Sequence, residues 1–82
     1  MFSYISFLNN TNFPYISVMD EERLMVEVLP KEKTSKFFAV DSGSLIFYFF
    51  SDSPKPFLNI YIPLYPGKIY TVSVYETYAK FM

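Results

Sequence analysis

The sequence predicts a small all-β domain, built as an antiparallel sandwich or a small barrel. Three observations lead to this fold class. Apolar residues alternate with a period of two along most of the chain, as they do in strands with one buried face. Turn-forming residues interrupt this pattern at roughly ten-residue spacing, which is typical of about seven short strands. The chain has 82 residues, a length that fits one domain over residues 1–82.

The first part of the chain contains three predicted strands, at residues 3–9, 15–19 and 24–28. Asn and Pro favour turns, so residues 10–14 are expected to form the first loop. A run of charged residues separates the second and third strands. In the third strand Leu24, Val26 and Val28 share one face, and Pro30 ends the strand because it cannot donate to a ladder.

The second part predicts four more strands, at residues 37–40, 45–50, around 60–62, and 69–75. Residues 45–50 are the most β-prone, because they are all aliphatic or aromatic. A segment rich in Ser and Pro at 52–56 ends this strand, and a Pro-Gly turn is expected at 63–68. The tail at 76–82 has room for one helical turn, which is too short to be stable alone.

The two glycines and one tyrosine have predicted structural roles. Gly43 and Gly67 are the only glycines, and each lies in a turn just before a strand. Glycine adopts a positive φ at little cost, which suits such turns. Tyr70 follows the second turn and is expected to point inward, with its hydroxyl tying a neighbouring loop as in a tyrosine corner.

Four stretches of the chain resemble the domain-of-unknown-function 4397 family, a group of small immunoglobulin-like sandwiches in bacterial envelope and secreted proteins. The stretches are the opening strand at 4–9, the Pro-x-hydrophobic-x-Val strand at 14–18, the aromatic strand, Gly turn and alternating strand at 37–49, and the closing Leu-x-x-Gly-x-x-Tyr-Thr-Val signature at 64–72. The resemblance extends from about residue 4 to residue 75. The Ser-Pro-Asp turn usual in the family is replaced by residues 10–13. The resemblance implies an antiparallel two-sheet immunoglobulin-like sandwich, and the family has no established reaction.

Composition excludes several kinds of site. The chain has no Cys and no His, so the commonest nucleophile, base and transition-metal ligands are missing, and no cofactor is predicted. A net charge of −1 and a pI of about 5.2 argue against nucleic acid as a partner. The longest apolar run, at 45–50, is far below the about 18 residues of a membrane span. A small domain without disulfides must gain stability from packing, and here aromatic residues make up 22% of the chain.

Three polar clusters are better explained by solvated turns than by chemistry. The carboxylates of Asp20, Glu21 and Glu22 lack the alternating ligand spacing of a calcium loop. The hydroxyls around Asp52 have no base to activate them. The lysines between residues 31 and 36 are interrupted by a glutamate, which favours a solvated loop.

The anomaly in the sequence is an excess of apolar residues in the strand at 45–50. If Leu45, Phe47 and Phe49 point into the core, Ile46, Tyr48 and Phe50 point outward, where polar residues are expected. We therefore predict that these outward residues form a binding surface. They are covered by the tail (Tyr78, Phe81 and Met82), by a second copy of the chain, or by a different partner or ligand.

These observations predict a non-enzymatic interaction or structural module that self-associates through a sheet face or edge, or binds another protein. Two alternatives remain, a small ligand- or glycan-binding module that uses exposed aromatic rings, and an enzyme that uses a pair of carboxylates. Residues 1–8 lack the basic region of a signal peptide, which predicts an intracellular protein. The family resemblance implies the cell envelope or a spore surface instead.

Overall fold

The computed structural model describes residues 2–21 and 25–82, and these residues form eight strands and no helix. The charged residues Glu22 and Arg23 and the predicted start of the third strand at Leu24 lie outside the described residues. The strands are β1 (Phe2–Asn9), β2 (Tyr15–Met19), β3 (Met25–Pro30), β4 (Phe38–Asp41), β5 (Gly43–Phe50), β6 (Leu58–Leu64), β7 (Ile69–Val74) and β8 (Ala79–Phe81).

The strands form two four-stranded sheets, which confirms the predicted two-sheet sandwich. The first sheet has the order β4-β1-β7-β8 and the second has the order β3-β2-β5-β6. Neighbouring strands are antiparallel except β1 and β7, which run parallel from the Tyr4–Ile69 pair to the Asn9–Val74 pair. The parallel pair departs from the antiparallel sandwich that we predicted, because a local alternation pattern is the same for both strand directions.

The core lies between the two sheets and is centred on three phenylalanine rings. Phe7 of β1 packs edge-on against Phe47 and Phe49 of β5, with ring centroids 5.2 and 5.9 Å apart. All three side chains have no exposed surface. The remaining buried apolar residues surround them from both sheets, and they are Ile5, Ile16, Val18, Leu29, Ile62, Leu64, Tyr70, Val72 and Val74.

A buried amide also joins the two sheets. The Asn9 side chain, at the end of β1, donates its Nδ2 hydrogen to the carbonyl oxygen of Leu29 in β3 (3.1 Å). Its Oδ1 atom accepts from both the backbone N–H (3.0 Å) and the hydroxyl (2.6 Å) of Thr11. Buried polar groups cost little when they are paired, so this amide stabilises the loop after β1 as well as the sheet contact.

Three elements differ from the sequence-based predictions. β3 includes Pro30, which is predicted to end it, and Leu29 is buried whereas Val28 is 44% exposed. β6 extends through Pro63, which the sequence predicts to lie in a turn. The proline is tolerated because β6 is an edge strand. The tail forms β8 rather than a helical turn, because it pairs with the edge of β7.

The ring contacts of Phe7 make a stability prediction. We expect Phe7→Leu to lower the free energy of unfolding by about 1 to 3 kcal/mol, because two edge-to-face ring pairs are lost while most of the volume remains. Urea unfolding followed by circular dichroism measures this loss. The matched control is Phe37→Leu at a position that is 55% exposed, where a change within about 0.5 kcal/mol is expected. Equal effects of the two variants would contradict the central role of Phe7.

Candidate functional site

The alternation of β5 places its two apolar sets on opposite sides of the second sheet. Phe47 and Phe49 point into the core. Ile46, Tyr48 and Phe50 therefore lie on the outer face, where each side chain is half-buried. Their neighbours in the strand register are also outward residues, with Tyr61 opposite Ile46, Asn59 and Met19 beside Tyr48, and Ser17 beside Phe50.

All four strands of the second sheet contribute apolar residues to this outer face. Tyr15 and Tyr61 are 61% and 60% exposed, which leaves their rings largely in solvent. Ser17 and Asn59 are polar residues within the same face. We call this surface the apolar face, and its members are Tyr15, Met19, Val28, Ile46, Tyr48, Phe50 and Tyr61. The sequence predicts only the three residues of β5, because the other members can be assigned to this face only when the order of the strands is known.

The outer face of the first sheet has a different character. The outward positions of β7 and β8 include Thr71, Ser73 and Lys80, as expected of a solvated sheet face. β1 also places apolar residues on this side, since Phe2 and Tyr4 are exposed near Ile69 and Leu8 is half-buried. Apolar residues thus lie outward on both sheets, and the second sheet differs in that all four of its strands contribute them, whereas β8 of the first sheet contributes Lys80.

The tail does not cover the apolar face. It forms β8 at the far edge of the first sheet, where Phe81 lies opposite Val72 in the register. The backbone N–H of Met82 donates to the carbonyl oxygen of Thr71, and the Met82 side chain is exposed. Of the three coverings considered from sequence, the terminal tail is thus ruled out.

The loop that follows β5 forms a shallow groove against the apolar face. The groove has a volume of about 270 Å³, and its lining residues are Met19, Tyr48, Phe50, Pro54, Lys55 and Pro56. The loop is anchored at its end, since the N–H of Phe57 donates to the carbonyl oxygen of Phe49 (2.9 Å). The Phe57 ring packs against Phe13, with centroids 5.0 Å apart. The groove therefore has one wall from the sheet and one from an anchored loop.

Gly43 and Gly67 both lie where the chain passes from one sheet to the other. Gly43 has a φ of 129° and begins β5 directly after the bend that follows β4. Gly67 has a φ of 75°, and the turn around it is closed by the N–H of Lys68 donating to the carbonyl oxygen of Tyr65 (3.3 Å). A side chain at either position would be strained by the backbone conformation.

Tyr70 points into the core from β7. Its ring is buried, and its hydroxyl oxygen accepts a hydrogen bond from the backbone N–H of Tyr65 (2.9 Å). This bond holds the chain that connects β6 to β7. Tyr70 thus stabilises the connection between β6 and β7. It belongs to the first sheet and is not paired with any strand of the apolar face.

The polar clusters considered from sequence have structural partners. Glu21 accepts a hydrogen bond from the backbone N–H of Ile46 through its Oε1 atom (3.1 Å), and Ser51 donates to Asp52 in an exposed turn. The Lys36 ammonium lies 5.5 Å from the centre of the Phe38 ring. Within residues 2–21 and 25–82 we find no group of three acidic side chains placed to hold a metal ion. The same residues contain no helix of a length and hydropathy that would cross a bilayer.

We find no matching protein family, curated relative or solved structure for this chain.

The hydrogen bond of Tyr70 predicts a matched pair of variants. We expect Tyr70→Phe to lower the free energy of unfolding by about 0.5 to 1.5 kcal/mol, because the partly buried N–H of Tyr65 loses its acceptor. Tyr65→Phe removes an exposed hydroxyl and keeps that N–H in place, so it is the control and is expected to be neutral. Chemical denaturation of both variants measures the difference. A neutral Tyr70→Phe variant would mean that the bond contributes nothing to stability.

Proposed function

We propose that this chain is a non-enzymatic structural or interaction module that self-associates through the apolar face. Ile46, Tyr48 and Phe50 form the centre of the interface, since β5 is an inner strand of the second sheet. The observation that carries the proposal is that all four strands of this sheet place apolar side chains outward. Contiguous apolar surface on a small domain usually marks an interaction site.

The residue types of the apolar face support a protein partner. Tyrosine, phenylalanine and methionine are enriched at interfaces, while charged residues are depleted at their centres. None of its members is charged, and four carry aromatic rings, which lie on three strands (Tyr15, Tyr48, Phe50 and Tyr61). A second copy of the chain presents the same surface, so the two copies can bury it together about a two-fold axis.

The proposal of a non-enzymatic role is supported by residue chemistry. The chain has neither histidine nor cysteine, which removes the side chains that most often act as bases and nucleophiles near neutral pH. Membership of the domain-of-unknown-function 4397 family is proposed on its sequence motifs, and a two-sheet sandwich is compatible with it.

The central test is the oligomeric state of a charge variant. We expect Phe50→Asp to convert a parent dimer or larger species to a smaller one, because a carboxylate at the centre of the interface would be buried without a partner. Light scattering on a size-exclusion column across a dilution series measures the mass. Tyr15→Asp, at the periphery of the apolar face and 61% exposed, gives the same test with less risk to folding.

The control for this test introduces the same charge on the other sheet. Ile69→Asp replaces an apolar residue that is 65% exposed on the first sheet, so it is expected to leave the mass unchanged. Circular dichroism establishes that each variant is folded. A parent that is monomeric at every concentration would contradict self-association through this face.

A second candidate function is the binding of a small ligand such as a glycan. The groove beside Tyr48 and Phe50 favours it, because aromatic rings next to a cleft can stack on a sugar. Its volume of about 270 Å³ is at or below the lower end of ligand sites, which are commonly about 300 to 1,000 Å³. We therefore place this function second.

The two candidate functions differ in their response to soluble sugars. Ligand binding predicts a saturable change in tyrosine fluorescence on titration with one member of a glycan panel, and Tyr48→Ala abolishes it. Self-association predicts no such change for any member. A panel without affinity would remove the glycan-binding candidate and leave the protein partner.

A further inference from the structure

β6 is an edge strand without the charges that protect the other three edges. Its seven residues, Leu58–Leu64, include no charged side chain. By contrast, β3 carries Glu27 and its pairing with β2 shifts in register, β4 carries Asp41, and β8 is three residues long and carries Lys80. Charges, irregular register and short length are the usual means by which edge strands avoid pairing with other chains. β6 lacks all three.

The hydrogen-bonding groups on the open side of β6 follow from Pro63. A proline is accommodated in an edge strand when its nitrogen faces away from the neighbouring strand. Because the direction of backbone groups alternates along a strand, the N–H groups of Asn59 and Tyr61 then also face away from β5. All three residues are exposed. The open edge thus offers two N–H donors, together with the carbonyl oxygens of the same alternate residues.

We propose that β6 pairs antiparallel with β6 of a second copy of the chain. An antiparallel pair of identical strands is self-complementary about a two-fold axis, so each free N–H meets a free carbonyl group. Two uncharged strands approach without like-charge repulsion, which two copies of β4 or β8 would not do. Pairing at this edge also makes the apolar faces of the two copies continuous through Tyr61.

The size of the apolar face supports the need for a second contact. Four strands about 4.8 Å apart, each with about three outward residues, span roughly 400 Å² per copy. Face-to-face packing would bury about twice that area, which is less than the roughly 1,200 Å² of a stable interface. Edge pairing adds backbone hydrogen bonds and further apolar contact. This inference rests on the proposed function, from which it takes a second copy of the chain as the partner. It adds a second contact surface between the copies.

Two independent two-fold contacts assemble the protein beyond a dimer. One contact joins apolar faces and the other joins β6 edges, so every copy has two different neighbours. The parent is therefore expected to form a species of four or more chains at high concentration. Because the face contact alone buries less area than a stable interface needs, each contact alone is expected to give a weak dimer that forms only at the upper end of a dilution series.

The test uses the full chain with Asn59→Pro, which removes one outward N–H and leaves the bonds to β5 in place. The matched control, Asn59→Ala, removes the amide side chain and keeps the N–H. We expect Asn59→Pro to raise the dissociation constant of the edge contact by about tenfold to a hundredfold, since two backbone hydrogen bonds are lost per symmetric pair. Asn59→Ala is expected to assemble like the parent. Sedimentation velocity across a dilution series measures both.

Combination with Phe50→Asp separates the two contacts. If the proposal is right, Asn59→Pro and Phe50→Asp each give folded dimers and the double variant gives a monomer. A Phe50→Asp variant that is monomeric while the parent is a dimer would overturn edge pairing and leave the face contact standing. A Phe50→Asp variant with the mass of the parent, together with a monomeric Asn59→Pro variant, would overturn the face contact instead.

Amide hydrogen exchange of the parent tests the edge without any substitution. We expect the N–H groups of Asn59 and Tyr61 to be protected at a concentration where the protein assembles, and to exchange rapidly after dilution. Assembly without protection of these two amides would overturn the proposal, as would equal loss of assembly in Asn59→Pro and Asn59→Ala.

Discussion

The contact of the Phe7 ring with the rings of Phe47 and Phe49 is the interaction on which the rest of the structure depends. It spans the two sheets, because Phe7 belongs to β1 and the other two rings to β5. A chain without cysteine has no disulfide to join its layers, so side-chain packing must do so. The buried amide of Asn9 adds a polar link at one end of the same interface.

The orientation of β5 determines which of its two surfaces meets solvent. A shift of β5 by one residue would exchange its inner and outer residues, and both sets are apolar. The strand therefore carries little information about its own orientation. Its neighbours supply that information, since Val18 of β2 and Ile60 of β6 are paired with Phe49 and Phe47 in the register. The fold does not require the outward residues of β5 to be apolar. We therefore assign these residues to association.

Much of this arrangement could be predicted from the sequence where the signal is local. The bounds of β2 follow from Ile16 and Val18 alternating between a proline and a charged segment, and the outward position of Tyr48 follows from the alternation of β5. Non-local features could not be predicted. β8 forms only because β7 offers an edge, and the membership of Tyr15 and Val28 in the apolar face requires the order of the strands. Leu29 is paired with Ile16 and is buried, although it stands next to Pro30, which predicts the end of the strand.

The parallel pairing of β1 with β7 has a consequence for the biosynthesis of the protein. β1 leaves the ribosome before its partner β7, and β2 to β6 are made between them. β4 can occupy one side of β1 earlier, but the other side stays open until β7 has been made. Pairing between such distant segments is slow, and open strands in unfinished chains are prone to contact one another. The period of greatest risk for this domain therefore lies between the synthesis of β1 and that of β7.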